Sequence, residues 1–341
     1  DFFPVAPPVS ELTSSRLPQA IYLMDSAIQA PQLYQSAVTL ERQLPKNMTL
    51  ATTYTNTRGF HQLRSRNINA PLPGTFTAPG TGVHPYGSNG QLFLYESSAV
   101  FRQHQLTLLV NARLNAKYSL FGYYSYNRAQ ANSDGAGSFP ANNYDLSGEW
   151  GRAAFDYRHR AQLGGNFTLP FKINLSPAVN LGSSGPVNIT TGTDWNGDTN
   201  FNDRPAFATV PAGTAPQVVA SRWGTFNIDP VGHPEYGTAI VPRNYGSGYE
   251  FFGIFTRLNR TWTFGESAAP PRPAGNPTTT APKGPGRYSI QFMATIGNTL
   301  NHNNRAAPVG NLSSPFFGQA LSSVYPANAN RFVYLGARFG F

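Results

Sequence analysis

The chain has 341 residues, with 33 Gly, 29 Pro, 13% aromatic and only 12% charged side chains, a composition that favours one large all-β unit over helical domains. The lack of cysteine excludes disulfides and thiolate metal sites. The net charge of +9 comes from singly scattered arginines and not from a basic cluster, so nucleic acid is not an expected partner.

Apolar and polar residues alternate with a period of two over most of the chain. No run approaches the 18 apolar residues that a transmembrane helix needs. Residues 1–30 are the exception, because they are Pro-rich and irregular. The alternation predicts nine strands, at residues 34–44, 48–55, 105–114 with a start as early as Gln91, 118–127, 161–169, 173–182, 252–264, 288–297 and 331–341.

The last predicted strand has two different faces. One face is wholly apolar and consists of Val333, Leu335, Ala337, Phe339 and Phe341. The other face consists of Tyr334, Gly336, Arg338 and Gly340. This strand alone would also fit an ordinary half-buried strand at the end of a domain. Because the pattern recurs along the chain, we predict lipid on the apolar side and water or protein on the polar side.

The connections between the predicted strands alternate in length. Short or medium connections lie at 45–47, 115–117, 170–172 and 265–286, and long ones lie at 57–90, 129–157, 185–247 and 301–330. Outer-membrane barrels have short periplasmic turns and long extracellular loops, whereas a soluble sandwich has no reason to sort its loops in this way. The sequence therefore predicts an antiparallel transmembrane β-barrel segment.

Six short motifs carry a resemblance to a known family. They are LERQLPKN at 40–47, YTNTRG at 54–59, LRSRNINAP at 63–71, DYRHR at 156–160, NITTG at 188–192 and NDRP at 202–205. Together and in this order they resemble the barrel of TonB-dependent receptors, in particular the Oar-like branch. The resemblance implies a 22-stranded barrel in the outer membrane of a Gram-negative-type bacterium, plugged by an N-terminal domain. It also implies nutrient import driven by TonB.

The family pattern also includes segments that these 341 residues do not show, namely a TonB box and a plug. We therefore expect residues 1–30 to be the remnant of an extracellular loop and residues 31–341 to be the C-terminal part of the barrel. The expected partners are membrane lipid, the N-terminal plug and barrel half, TonB through that N-terminal part, and a nutrient such as a carbohydrate or a peptide.

The loop at residues 194–203 carries the one candidate metal site. Its proposed calcium ligands are Asp194, Asn196, Asp198, Asn200 and Asp203, with Asn202 as a further oxygen donor at the alternating spacing with which a tight loop wraps a hard cation. The loop departs from the EF-hand pattern, because Thr199 occupies the glycine position and Pro205 stands in place of the bidentate glutamate. A surface loop rich in Asx-turns is the alternative.

Catalytic chemistry is not expected. Asp156, Arg158, His159 and Arg160 form a charged cluster, but no nucleophile motif accompanies them. We therefore expect no enzyme, and the expected function is the transport that the resemblance implies. Two alternatives stay open: an outer-membrane adhesin or structural barrel without active transport, and a secreted β-sandwich that binds carbohydrate, which would need more polar outer faces.

Overall fold

The computed structural model describes residues 20–87, 90–265, 287–324 and 330–341. Over these residues the regular secondary structure is almost all β-strand, with three single turns of 3₁₀ helix. The strands are β1 Ala20–Met24, β2 Gln32–Leu44, β3 Met48–Asn67, β4 Gln91–Arg113, β5 Tyr118–Ala131, β6 Gly151–Arg152, β7 His159–Thr168, β8 Asn174–Gly182, β9 Pro186–Val187, β10 Ala206–Phe207, β11 Val218–Ser221, β12 Gly224–Asn227, β13 Gly246–Ser247, β14 Phe251–Phe264, β15 Tyr288–Gly297 and β16 Phe332–Gly340.

One large sheet contains the long strands. Its path runs β16-β15-β14-β8-β7-β5-β4-β3-β2, so strands that follow one another in the meander are also neighbours in space, and each pair is antiparallel. The β2–β3 hairpin closes tightly because Lys46 and Asn47 adopt left-handed φ angles of 64° and 52°. In the described residues β2 and β16 each pair on one side only, so the sheet has two edges.

The register confirms the predicted apolar side. Leu258 of β14 lies opposite Leu175 of β8 and Ala294 of β15, and Ala294 lies opposite Leu335 of β16. Directly opposite residues of antiparallel strands share a face, so the apolar positions of separate strands join into one surface. The outward side chains are well exposed, with Leu335 74% and Val38 73% accessible. The all-β antiparallel prediction is confirmed, and the count of 22 strands stays a prediction.

The opposite side of the sheet is held by polar side chains that bond across the strands. Gln105 Nε2 donates to Ser125 Oγ at 2.9 Å, and Gln103 Nε2 donates to Asn127 Oδ1 at 2.7 Å. Ser125 and Asn127 are nearly fully buried, so these bonds satisfy groups that water does not reach. A sheet with an apolar outer side and a hydrogen-bonded polar inner side is typical of barrels that cross a membrane.

The predicted loop at 57–90 is wrong at its start, because β3 continues to Asn67. The alternation lapses there since this part of the strand is polar on both sides, and Arg64, Ser65 and Asn67 are nearly fully buried under other connections. The alternative start of the next strand at Gln91 is confirmed. Both strands thus extend beyond the part of the sheet that shows the apolar alternation.

The predicted irregular stretches contain additional strands. Within 1–30, β1 pairs in parallel with β4, with Ala20 opposite Gln91. Within 185–247, β10, β12 and β11 form a small antiparallel sheet and β13 pairs with β9. Residues 1–19, nearly all of the 265–286 connection, and residues 325–329 lie outside the described residues. The division at residue 30 stays a prediction.

We call the four long connections, at residues 68–90, 132–158, 183–250 and 298–331, the loop layer. Because the strands are antiparallel, all four leave the sheet at the end opposite the short turns. Ile189, Phe226 and Val241 are fully buried and form a small apolar core within the layer. In the described part of the chain, no helix has the length and apolar character needed to span a membrane.

Candidate functional site

The loop layer is one hydrogen-bonded unit and not a set of separate loops. Tyr144 Oη donates to the Ala70 carbonyl at 2.5 Å, Asn196 Nδ2 donates to the Ala141 carbonyl at 2.7 Å, and the Thr190 amide donates to the Gly310 carbonyl at 3.0 Å. These three hydrogen bonds link all four long connections to one another. The layer therefore presents a defined surface at one end of the sheet.

The predicted calcium loop wraps around the carboxylate of Asp194. Its Oδ1 accepts the Gly197 amide at 2.7 Å and its Oδ2 accepts the Thr199 amide at 2.8 Å. Thr199 adopts a left-handed φ of 67°, so this residue takes the conformation for which the EF-hand pattern uses glycine. The departure noted in the sequence is thus accommodated by the backbone.

The other predicted ligands lie in the same loop but point to different partners. Asp198 is fully buried, and its carboxylate accepts the Asn200 amide at 2.8 Å and the Asn143 Nδ2 group. Asp203 accepts the Trp195 amide at 2.7 Å, and Asn196 Nδ2 lies 3.4 Å from its other oxygen. Burial raises the pKa of both Asp198 and Asp203 to about 7, because the charged carboxylate loses its hydration.

This donor set fits calcium only in part. The three carboxylates already accept hydrogen bonds at both oxygens, which favours the Asx-turn alternative. Across the described ranges there is no group of three or more His, Cys, Asp or Glu side chains arranged to hold a metal ion. Calcium binding by Asp194, Asn196, Asp198, Asn200 and Asp203 stays a prediction.

A cavity of about 500 Å³ lies beside this loop, where the 132–158 and 183–250 connections meet. It was not predicted from the sequence. Its wall includes the charged and amide side chains of Asp134, Glu149, Asn202, Arg204, Arg243 and Asn244. We call it the arginine cavity.

Arg204 and Arg243 are almost completely buried in the wall of the arginine cavity, at 6% and 5% exposure. Arg204 Nη2 donates to Glu149 Oε1 at 2.7 Å, but its Nε and Nη1 groups have no hydrogen-bond partner. Arg243 Nη2 donates to the Ala131 carbonyl at 2.7 Å, whereas its Nε has no partner. Its Nη1 lies 2.9 Å from Asp134 Oδ2 without the alignment of a hydrogen bond.

Burial dominates the electrostatics of both arginines. It lowers the pKa of Arg204, against the opposing effect of Glu149 and Asp203. It also lowers the pKa of Arg243, which Asp134 and Glu149 oppose and which Arg204 lowers further. Glu149 therefore acts on both guanidinium groups, and the two guanidinium groups repel each other across the cavity.

The charged cluster at residues 156–160 does not form an acid-base pair. Asp156 is fully buried, accepts the Ala129 amide at 2.8 Å, and forms ion pairs with Arg152 at 2.9 Å and Arg158 at 3.3 Å. The His159 ring instead lies 2.8 Å from the hydroxyl of Tyr124. Asp156 thus fastens the 132–158 connection to the end of β5.

Few features of the sequence pointed to the arginine cavity. Arg204 belongs to the NDRP motif, which carries the family resemblance, but Arg243 lies in no motif. The groups that meet here are far apart in sequence: Arg204 bonds Glu149 across 55 positions, and Arg243 bonds Ala131 across 112. The one available signal was that charged residues are rare in this chain, at 12%. Each scattered arginine was therefore a candidate for a functional site.

A lipid-facing apolar side, a polar inner side and long connections at one end define this chain as an outer-membrane β-barrel protein. The chain belongs to the family described as outer membrane beta barrel domain, whose model matches residues 1–269. It therefore lies in the outer membrane of a bacterium, with its apolar side against lipid.

Solved structures of outer membrane transporters match this chain, and the first of the two below shows the same fold. The outer membrane transporter YddB from Escherichia coli matches with a TM-score of 0.52 and 12% identity, over 94% of this chain and 34% of that chain. The FrpB iron transporter from Neisseria meningitidis (F3-3 variant) matches with a TM-score of 0.44 and 9% identity, over 94% and 33%. The chain thus spans about a third of the length of each transporter. No curated protein matches significantly.

Proposed function

We propose that this chain is part of a TonB-dependent transporter of the Oar-like branch, which imports a nutrient across the outer membrane. The observation that carries the proposal is the loop layer, in which four long connections fold into one unit with a polar cavity. An inert barrel would not need such a layer, whereas a transporter needs a shaped binding surface at the end where its solute arrives.

The proposed orientation follows from the lengths of the connections. The short turns face the periplasm and the loop layer faces the outside of the cell, as in other outer-membrane barrels. TonB and a plug domain would act through the rest of the transporter. The nutrient is a carbohydrate or a peptide in this proposal, and the protein has no catalytic role.

The test is uptake by cells that produce the full-length protein. Cells would be fed a mixture of peptides and oligosaccharides, and depletion of each compound from the medium would be followed by mass spectrometry. We expect depletion that needs both the protein and a working TonB. The control is the same strain without the protein.

Depletion that continues unchanged when TonB is inactivated would contradict energised import. Increased adhesion of cells to surfaces, with no protein-dependent depletion, would instead support the adhesin alternative.

A further inference from the structure

Three arginines of neighbouring strands lie on the lipid-facing side of the sheet, at the end next to the loop layer. They are Arg58 of β3, Arg102 of β4 and Arg128 of β5, and all three are exposed. Thr57 and Asn127, which precede two of them, are 7% exposed on the inner side, so the alternation of the strands places the arginines outside. We call the three arginines the outer arginine patch.

The register of the sheet brings these three side chains together. Arg58 lies directly opposite Arg102. Arg128 lies opposite His104, so it is the diagonal neighbour of Arg102. Directly opposite side chains have Cβ atoms about 5 Å apart, diagonal ones are within reach of long side chains, and like charges directly opposite destabilise a strand pair. The fold therefore accepts a local repulsion between positive charges.

No ion pair within the described ranges offsets this repulsion, because none of those that form there includes an arginine of the patch. The neighbours of the patch are aromatic instead. The Cζ of Arg102 lies 5.7 Å from the centre of the Trp150 ring, and Tyr34 lies opposite Arg58 on the β2 side. Tyrosine and tryptophan are enriched where a membrane meets water, so the patch has the surroundings of a headgroup region.

The height of the patch agrees with this position. Each arginine is ten positions from a residue at or next to the short-turn end of its strand, as the pairs Met48 and Arg58, Ala112 and Arg102, and Tyr118 and Arg128 show. Ten residues at about 3.3 Å each, tilted by about 40°, rise about 25 Å, which is the height of the apolar band of outer-membrane barrels. The patch thus lies at the lipid headgroups on the loop-layer side.

We propose that the outer arginine patch binds the phosphate groups of a lipid in the outer leaflet of the membrane. Guanidinium and phosphate groups form bidentate, charge-assisted hydrogen bonds, and basic clusters at a membrane surface select anionic headgroups. A phosphate between Arg58 and Arg102 also removes their repulsion. Leu106 and Leu108 continue the same side towards the short turns, where they contact the acyl chains of the bound lipid.

This inference goes beyond the proposed function, because lipid binding does not depend on transport. Only the choice of leaflet rests on the proposed orientation. The outer leaflet of bacterial outer membranes contains glycolipids with phosphate groups on the sugar headgroup, whereas phospholipids occupy the periplasmic leaflet. Binding of both lipid types to the isolated protein can therefore be compared without reference to uptake.

The experiment uses the full-length protein, extracted from outer membranes in detergent and washed free of bound lipid. The probes are lipid A, lipid A from which the phosphate groups have been removed, and phosphatidylglycerol. Native mass spectrometry follows the bound lipid over a titration, with inorganic phosphate as a competitor. We expect saturable binding of lipid A, about tenfold or more tighter than binding of the phosphate-free form. Phosphatidylglycerol should bind more weakly, and inorganic phosphate should not displace lipid A.

Substitutions in the patch test the donors. Arg58→Gln and Arg102→Gln should each weaken lipid A binding about tenfold or more, because each removes charge-assisted hydrogen bonds. Arg102→Lys keeps the charge but not the bidentate geometry, so its binding should lie between those of Arg102→Gln and the wild type. Heat-modifiable migration on a gel identifies the variants that are folded.

The matched control is Arg260→Gln. Arg260 lies on the same side of the sheet and 4.4 Å from the centre of the Trp262 ring, so it also combines a guanidinium with an aromatic ring. It lies near the short-turn end, however, and opposite Phe292 instead of a second arginine. Its replacement should leave lipid A binding unchanged.

Equal binding of lipid A and its phosphate-free form by the wild type would overturn the proposal, as would equal lipid A binding by the wild type and the folded glutamine variants. An equal loss in Arg260→Gln would show that no patch is needed. Displacement by inorganic phosphate would overturn the assignment to a lipid, and tighter binding of phosphatidylglycerol would overturn the choice of leaflet. Lipid A binding without TonB-dependent uptake would remove only the proposed function, and uptake without lipid A binding only this inference.

Discussion

The sheet and the loop layer of this protein place their polar and apolar groups in opposite ways. On the sheet, large apolar side chains such as Leu335 and Val38 are about three-quarters exposed, and polar side chains bond across the inner side. In the loop layer, Asp156, Asp198 and Asn227 are fully buried, and the apolar core is a small cluster around Phe226.

The difference follows from the solvent that each region meets. Lipid does not drive apolar side chains inward, so the strands keep them outside and are held by backbone hydrogen bonds to their neighbours. The loop layer lies in water, where a small apolar core stabilises little, and its order depends on buried ion pairs and amide bonds. The same kind of substitution should therefore have opposite consequences in the two regions.

Removing a buried charge from the loop layer should have the largest effect. Asp156→Asn keeps the size of the side chain but leaves Arg152 and Arg158 without their carboxylate, which should cost about 3–5 kcal/mol of loop-layer stability. Hydrogen exchange at the Ala129 amide, which Asp156 accepts, reports the loss.

The matched control for that substitution is Asp145→Asn. This aspartate is exposed in the same connection and bonds only local groups, so its replacement should leave the stability of the loop layer nearly unchanged. Similar losses for both variants would contradict the view that buried ion pairs hold the loop layer.

Adding a charge to the lipid side should have the next largest effect. Leu335→Arg places a guanidinium in the apolar surface formed with Ala294, at a cost of about 2–4 kcal/mol near the middle of the membrane. Tyr334→Arg is the control, because Tyr334 lies on the opposite face, across from Thr295. Urea unfolding of the full-length protein in lipid vesicles measures the stability of both variants. Equal losses of stability would contradict the assignment of the two faces.

A pH effect confined to the 194–203 loop should be smaller. The pKa of Asp198 and Asp203 is raised from 3.8 to about 7, mainly by burial, while Asp194 raises both further and Arg204 opposes the shift at Asp203. A carboxyl with a raised pKa stabilises the fold below its unfolded pKa, and this contribution is lost as pH rises through 7. We therefore expect the loop to be best ordered near pH 4 and to loosen towards pH 8.

Hydrogen exchange of the Trp195 and Asn200 amides, corrected for intrinsic rates, measures this loosening. The Trp195 amide donates to the Asp203 carboxylate and the Asn200 amide donates to the Asp198 carboxylate. Asp198→Asn should flatten the pH dependence at Asn200. Protection that rises from pH 4 to pH 8 would show that the carboxylates are stabilised in their charged form.

Calcium should have the smallest effect, limited to the same loop. If the predicted ligands bind it, millimolar calcium should restore protection at high pH, because the ion compensates the charged carboxylates. Asp194→Asn should weaken the response, and magnesium serves as the control ion. An unchanged Trp195 fluorescence and unchanged exchange at millimolar calcium would end the calcium prediction.

Much of the sheet could be predicted from the sequence, and little of the candidate site. The alternation around Leu258 and Leu335 placed the strands and their faces, because lipid selects for period two along each strand. The alternation ended too early in β3, where Arg64 and Asn67 are polar residues buried by other connections. The alternation also did not predict β1, which pairs with β4 about seventy positions further along the chain.

The sequence by itself determined that this chain is a membrane-facing antiparallel sheet, because side-chain alternation and connection length are local properties of the chain. Only the tertiary structure decided which polar groups meet at the loop layer. Asn67 reaches Asp198 across 131 positions, and Arg243 reaches Ala131 across 112. No local pattern records such pairs, since nothing in the sequence around either partner marks it until the fold brings the two together.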